Sequence, residues 1–143
     1  MDVSQVMTRN VECIGPDSSL TAAALKMKQL DIGPLPVCGE EDRLVGMITD
    51  RDIVIRAVAD GRDMAKTKVQ DVMTPEVEYV LEDQPVEEAA RIMREKQIRR
   101  LVVLDHKHRL VGILSLGDLA VDGEEEMVGE ALEGISYPAA PRR

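Results

Sequence analysis

The chain has 143 residues, 44% of them hydrophobic, which is the composition of a folded chain rather than a disordered one. A formal net charge of −9, with no Trp or Phe and two Tyr, argues against a nucleic-acid partner, which needs a basic surface and aromatic stacking. The apolar runs are too short to cross a membrane and the N-terminus lacks the features of a secretory signal, so we expect a cytoplasmic protein without a membrane partner.

The first half of the chain predicts a strand, a helix, two strands and a second helix. Its opening apolar stretch is too short for anything but a strand, and Asp-Ser-Ser at residues 17–19 is a typical helix start. Apolar residues then recur at helical spacing up to Leu30, which indicates an ordinary buried face. The predicted elements are a strand over residues 11–14, a helix over 20–30, strands over 35–38 and 44–48, and a helix from residue 50 or 51 that stops at Gly61.

The second half predicts the same order of elements. Asp83 and Pro85 mark a helix start, and apolar residues recur at helical spacing from Val86 to Met93. A helix between two strands suggests a parallel pair, and the short polar turn that follows adds an antiparallel neighbour. The predicted strands cover residues 77–81, 101–104 and 110–114.

The two halves are copies of one another. Without a gap, residues 6–53 align with residues 72–119 at an offset of 66, and 17 of the 48 aligned positions are identical. The longest identical phrase is Arg-Leu-Val-Gly, which occurs at residues 43–46 and again at 109–112. Because chance would give only a few matches, we infer an internal duplication.

The repeated pattern resembles the cystathionine-β-synthase (CBS) domain. The shared features are V-M-T, then I-x-x-L-x-V, then L-V-G followed by two apolar residues and [Thr/Ser]-x-x-Asp. Two copies resemble a tandem CBS pair, or Bateman module, and the resemblance covers residues 3 to 121. The stretches around Thr21, Gly33 and Thr49 are most similar to stand-alone bacterial or archaeal two-CBS proteins, including ones described as stress- or hypoxia-response proteins.

The resemblance implies an α+β fold. It consists of two tandem β-α-β-β-α units that pack sheet to sheet with pseudo-two-fold symmetry. One unit alone has too little core to be stable, whereas two can bury their sheets against each other. We expect the first unit over residues 1–62, a linker over 63–68, the second unit over 69–122, and a C-terminal helix and tail over 123–143.

The resemblance also implies that adenosine nucleotides bind in clefts between the two units. Gly46 or Gly112 would allow close approach of the backbone or of a ligand. The hydroxyl of Thr49 or Ser115 would meet a phosphate, and the carboxylate three residues later would accept hydrogen bonds from the ribose. The alternative is structural, because Thr, Ser and Asp at a helix start are common caps.

Each implied cleft is composite, and the two clefts are unequal. Arg99-Arg100 in the second repeat aligns with Gly33-Pro34 in the first, so we expect the phosphorylated ligand in the cleft that contains the arginines. The alternative for the two arginines is a solvated surface pair. The first cleft would comprise Thr49, Arg51, Asp52, Thr74, Val77, Tyr79, Ile98, Arg99 and Arg100. The second, which would take a nucleoside or stay empty, would comprise Ser115, Asp118, Thr8, Val11, Cys13, Ile32, Gly33 and Pro34.

The cysteines and histidines have simpler interpretations. Cys13 and Cys38 are explained as small buried hydrophobic residues, although the implied fold places them on neighbouring parallel strands, where a disulfide is geometrically possible. His106 and His108 fall between two apolar runs, which favours a solvated turn over a metal site.

The sequence therefore predicts a non-catalytic regulatory protein. It has no recognisable set of catalytic residues, and we expect no obligatory cofactor, with AMP, ADP or ATP as a regulatory ligand. We expect a homodimer in which ligand binding changes how the units pack and signals to an unknown protein effector. The alternatives are a structural or interaction dimer with vestigial nucleotide clefts and, less favoured, a small enzyme.

Overall fold

The computed structural model describes residues 1–122, and its elements follow the predicted order except for the strand predicted over residues 11–14. The predicted C-terminal helix and tail over 123–143 lie outside the described residues. The helices are α1 (Leu20–Leu30), α2 (Asp50–Ile53) with a π-helix directly after it (Val54–Val58), α3 (Val86–Lys96) and α4 (Leu116–Asp122). The strands are β1 (Leu35–Cys38), β2 (Leu44–Ile48), β3 (Tyr79–Leu81), β4 (Arg100–Leu104) and β5 (Leu110–Ser115), and 3-10 turns cover Val3–Gln5, Glu40–Asp42 and Val69–Asp71.

The sheet of the first repeat is antiparallel, with β1 paired to β2 from Leu35 opposite Ile48. The predicted strand over residues 11–14 is reduced to a single parallel bridge between Ile14 and Val37, so this prediction was wrong in extent. The N–H of Ile14 donates to the carbonyl of Pro36 at 3.0 Å. A longer ladder toward residue 12 would need a backbone N–H from Pro36, which proline lacks.

The sheet of the second repeat has three strands in the order β3-β4-β5. Strand β3 runs parallel to β4, with Tyr79 opposite Val102 and Leu81 opposite Leu104. The parallel pair is joined by α3, as predicted from a helix between two strands. A non-proline residue, Val102, stands where the first repeat has Pro36, so the ladder that the first repeat cannot extend forms here.

The helix after β2 covers the predicted residues but changes type along its length. Only Asp50–Ile53 is α-helical, and the chain then widens into the π-helix over Val54–Val58. Gly61 follows with a positive φ of 71°, which is why the helix ends there.

The described chain forms two compact units whose limits differ from those of the repeats. The first-repeat unit contains Glu12–Val77 and Lys107–Leu110, and the second-repeat unit contains Met1–Val11, Glu78–His106 and residues 111–122. The Val-Met-Thr segment that opens each repeat therefore packs in the unit built mainly from the other repeat. The core of the first-repeat unit includes Leu20, Leu35, Val37, Ile48, Val69 and Val72, and that of the second includes Val3, Val6, Val80, Met93, Leu101, Leu114 and Leu119.

The glycine of each Leu-Val-Gly phrase lies directly beneath a Val-Met-Thr segment. A Cβ placed on Gly46 would lie 2.8 Å from both Sδ of Met73 and the carbonyl oxygen of Thr74. Met47 and Thr74 hold this segment in place through reciprocal backbone hydrogen bonds of 2.9 and 2.8 Å. Close approach of the backbone is thus the observed reason for glycine at position 46.

The second copy is built in the same way. A Cβ on Gly112 would lie 2.6 Å from Sδ of Met7 and 2.8 Å from the carbonyl oxygen of Thr8. Thr8 and Ile113 exchange backbone hydrogen bonds of 2.8 and 3.0 Å. The Leu-Val-Gly and Val-Met-Thr motifs therefore contact each other, and this contact occurs once in each compact unit.

Candidate functional site

The Thr49–Asp52 motif forms a reciprocal capping box at the start of α2. The backbone N–H of Asp52 donates to Oγ1 of Thr49 at 3.0 Å, and the backbone N–H of Thr49 donates to Oδ2 of Asp52, also at 3.0 Å. This is the structural role that the sequence left as an alternative.

The Ser115–Asp118 motif forms the same box at the start of α4. The N–H of Asp118 donates to Oγ of Ser115 at 3.0 Å, and the N–H of Ser115 donates to Oδ2 of Asp118 at 2.8 Å. The backbone therefore fixes the rotamers of both carboxylates before any ligand is present.

Capping leaves hydrogen-bonding capacity on both side chains of each motif. Each box uses one carboxylate oxygen and only the acceptor side of the hydroxyl, whereas a carboxylate offers about four lone-pair directions and a hydroxyl also has a proton to donate. Asp52 and Asp118 are half-buried rather than fully buried. Each motif can therefore present an oriented acceptor and an O–H donor to a ligand.

Arg56 adds a cation to the first motif. Its Nε lies 3.8 Å from Oδ1 of Asp52, and its Nη1 donates to the carbonyls of Val72 at 3.2 Å and Met73 at 3.4 Å. Arg56 was not among the residues predicted for the site. The available signal was its position four residues after Asp52 with opposite charge, a spacing at which helical side chains meet.

The loop before each central strand lies beside the motif of its own repeat. The N–H of Asp50 donates to the carbonyl of Gly33 at 3.2 Å, and a Cβ on Gly33 would lie 3.1 Å from Oδ1 of Asp50. In the second repeat the N–H of Leu116 donates to the carbonyl of Arg99 at 2.8 Å. These hydrogen bonds join each loop to the turn that leaves the neighbouring strand. The predicted grouping, which set Arg99 with the Thr49 motif and Gly33 with the Ser115 motif, stays a prediction.

The remaining predicted site residues divide between the two units. Arg51, Arg99 and Arg100 have exposed side chains, and Ile32 and Tyr79 are also exposed. The first-repeat unit contains Thr49, Arg51, Asp52, Thr74, Val77, Cys13, Ile32, Gly33 and Pro34, whereas the second-repeat unit contains Ser115, Asp118, Thr8, Val11, Tyr79, Ile98, Arg99 and Arg100.

Cys13 and Cys38 are neighbouring free thiols. Burial and a side-chain hydrogen bond with Cys13 raise the pKa of the Cys38 thiol well above its usual range. His106 lies in the turn before β5, where its Nε2 is 2.7 Å from Oδ2 of Asp83. This pairing raises the pKa of His106 and lowers that of Asp83.

Within residues 1–122, every helix is too short or too polar to cross a bilayer.

The fold and its two motifs define a tandem CBS protein. The profile of the CBS domain matches the chain twice, over residues 3–58 and 69–122, and the chain belongs to this family. It is similar to hypoxic response protein 1 of Mycobacterium tuberculosis, with 39% identity over 135 residues that cover 94% of each chain.

Two solved structures add ligands to the comparison. The CBS domain protein PAE2072 from Pyrobaculum aerophilum, complexed with AMP, is 26% identical with a TM-score of 0.73, and the match covers 92% of this chain and 98% of that one. The CBS domain pair of protein MJ0100, in complex with 5′-methylthioadenosine and S-adenosyl-L-methionine, is 28% identical with a TM-score of 0.70, and the match covers 87% of this chain and all of that one.

Proposed function

We propose that this protein is a non-catalytic regulatory module that binds adenosine-type ligands through its two [Thr/Ser]-x-x-Asp motifs. The observation that carries the proposal is the pair of capping boxes, which orient Asp52 and Asp118 while leaving one oxygen of each carboxylate with acceptor capacity. The AMP bound by PAE2072 and the methylthioadenosine and S-adenosylmethionine bound by MJ0100 support the ligand class.

The chemistry of each motif suits a ribose and its 5′ substituent. The carboxylate accepts hydrogen bonds from ribose hydroxyls, which are neutral donors to a charged acceptor and therefore form stronger hydrogen bonds than neutral pairs do. The hydroxyl of Thr49 or Ser115 keeps its proton to donate toward the 5′ group. We propose that occupancy of the motifs alters the packing of the protein and is passed to a protein effector.

We propose that the two motifs prefer ligands of different charge. The exposed Arg99 and Arg100 belong to the unit of the Ser115–Asp118 motif, where they favour a phosphorylated ligand such as AMP. The Thr49–Asp52 motif carries a second carboxylate, Asp50, beside Gly33, which offsets the cations of Arg51 and Arg56 and favours an adenosine ligand without a phosphate. The expectation from sequence, which placed the phosphorylated ligand with the Thr49–Asp52 motif, stays the alternative.

Calorimetric titration tests both parts of the proposal. Wild type, Asp52→Asn and Asp118→Asn would be titrated with AMP, ADP, ATP, adenosine and S-adenosylmethionine, with Asp60→Asn, an exposed carboxylate beyond the π-helix, as the matched control. Loss of AMP binding in Asp118→Asn, together with retained adenosine binding at the first motif, supports the assignment. An Arg99→Ala/Arg100→Ala variant should weaken AMP binding and leave adenosine binding intact.

The proposal fails if no adenosine ligand binds wild type at millimolar concentration. That result would favour the alternative of a structural or interaction protein with vestigial sites. Turnover of a nucleotide would contradict the non-catalytic part.

We also propose that two copies associate through the helix after β2. Val54, Ile55 and Val58 there are 54%, 53% and 56% exposed, a cluster of aliphatic side chains that a second copy would cover. Sedimentation of Val58→Lys measures this, because a buried lysine would dissociate the dimer. Val45→Lys, at an exposed position on β2, is the control.

A further inference from the structure

The helix after the first motif changes type along its length, which the described part of the helix after the second motif does not. After Ile53 the helix widens into the π-helix, in which the N–H of Ala59 donates to the carbonyl of Val54 at 2.9 Å. Arg56 lies in this segment, and short π-helical segments of this kind are frequent at functional sites. In the second repeat α4 remains α-helical through Asp122, and Asp122 occupies the position equivalent to Arg56.

The contacts of Arg56 join two parts of the first-repeat unit. Its Nη1 reaches the consecutive carbonyls of Val72 and Met73, and the next residue, Thr74, is hydrogen-bonded to Met47. A guanidinium is planar and rigid, so fixing one nitrogen on two carbonyls also fixes the direction of Nε. The carboxylate of Asp52 is thereby held at a set position relative to the Val72–Thr74 segment.

The distance between Arg56 and Asp52 matters for binding. Nε and Oδ1 are 3.8 Å apart, which is an ion pair but too long for a hydrogen bond. Arg56 therefore attracts Oδ1 without using its lone pairs, and the N–H of Thr49 holds Oδ2. The side chain of Asp52 is 15% exposed and that of Arg56 is 51% exposed, so solvent screens the attraction from the arginine side only.

We infer that Arg56 is a positioning residue that makes the first motif specific for ribose. It aims Oδ1 of Asp52 at the ribose hydroxyls and ties that carboxylate to the Val72–Thr74 segment. The inference rests on the proposed function, because it concerns the ligand selectivity of the same motif. The second repeat has no arginine at the aligned sequence position, so we expect its motif to discriminate less between ribose and deoxyribose.

The test compares adenosine with 2′-deoxyadenosine in an Asp118→Asn background, in which only the first motif binds. A lost hydrogen bond to a charged acceptor corresponds to about a tenfold difference in Kd, which is the preference expected for adenosine with Arg56 in place. In Arg56→Gln the preference should fall toward unity because adenosine binds more weakly while 2′-deoxyadenosine changes little. Arg62→Ala removes an exposed arginine from the same unit and should leave the preference unchanged.

An equal loss of affinity for both ligands would mean a merely structural role and would overturn the inference, as would an unchanged preference. If neither ligand binds the Arg56-containing protein, the proposed function fails separately, and hydrogen exchange then decides the positioning role. The amides of Thr49 and Thr74 should exchange several-fold faster in Arg56→Gln, whereas that of Leu116 in the other unit should not change. Unchanged rates, or rates raised uniformly across the chain, would refute it.

Discussion

Replacing Gly46 with alanine tests the contact between the two repeated motifs. The new Cβ would lie 2.8 Å from Sδ of Met73 and from the carbonyl oxygen of Thr74. The sulfur is part of a flexible side chain, but the carbonyl belongs to a backbone held by hydrogen bonds to Met47. Relief therefore requires a shift of the backbone, and overpacking of this kind costs about 1–3 kcal/mol. For a chain of this size we expect Tm to fall by about 3 to 12 °C.

The assay is urea unfolding followed by circular dichroism, with Gly39→Ala as the matched control. A Cβ on Gly39 meets only Cγ1 of Val45 at 3.4 Å, so this variant should stay within about 0.5 kcal/mol of wild type. A double-mutant cycle with Met73→Ala separates the two clashes, because truncating Met73 removes the sulfur and leaves the carbonyl. A Gly46→Ala variant as stable as Gly39→Ala, or full recovery of the lost stability by Met73→Ala, would refute a backbone clash at this contact.

Three further predictions concern stability and reactivity. Met93 is fully buried, so Met93→Ala should lower the free energy of unfolding by about 2–5 kcal/mol in the same urea assay. Leu25→Ala, at a half-exposed position, should lower it little. The pairing raises the pKa of His106 and lowers that of Asp83, so it stabilises the fold fully between about pH 4 and 6.5. This stabilisation is lost as the pH rises through the raised pKa of His106. It is also lost as the pH falls through the lowered pKa of Asp83. NMR titration checks this, because Asp83→Asn should return the pKa of His106 toward 6.5, and an unmoved value would contradict the pairing. Iodoacetamide should label Cys13 before Cys38, since the raised pKa of Cys38 suppresses its thiolate, and mass spectrometry showing Cys38 labelled first would disprove this.

Most elements of the fold were predictable because their signals are local. The strands over residues 35–38 and 44–48 were predicted within their observed limits, since an apolar run bounded by a polar turn is enough to define them. The strand predicted over residues 11–14 did not form because Pro36, in another element, lacks the backbone N–H that a longer ladder needs. The π-helix after Ile53 was also missed, because a period of apolar residues does not separate an α-turn from a slightly wider one.

Within the candidate site, the capping role of each motif was predictable from the sequence, whereas the contacts of the loops were not. The capping geometry of Thr49 and Asp52 follows from their spacing alone. The loop that lies beside each motif does not follow from spacing, because the neighbours of Gly33 and Arg99 depend on how the strands are ordered in space. Arg56 illustrates the same limit, since its partners Val72 and Met73 lie 16 and 17 residues away in the chain.

The exchange of the Val-Met-Thr segments makes each compact unit depend on both repeats. Gly46 comes from the first repeat, but Met73 and Thr74 that cover it open the second, and Val69 and Val72 complete the same core. The Asp52 carboxylate is likewise oriented by Thr49 from its own repeat and, through Arg56, by carbonyls that belong to the next. A change in the carboxylate on ligand binding would therefore reach the segment that links the two halves of the sequence. Duplication is in this sense part of the mechanism we propose, because a single copy would contain the motif without the segment that positions it.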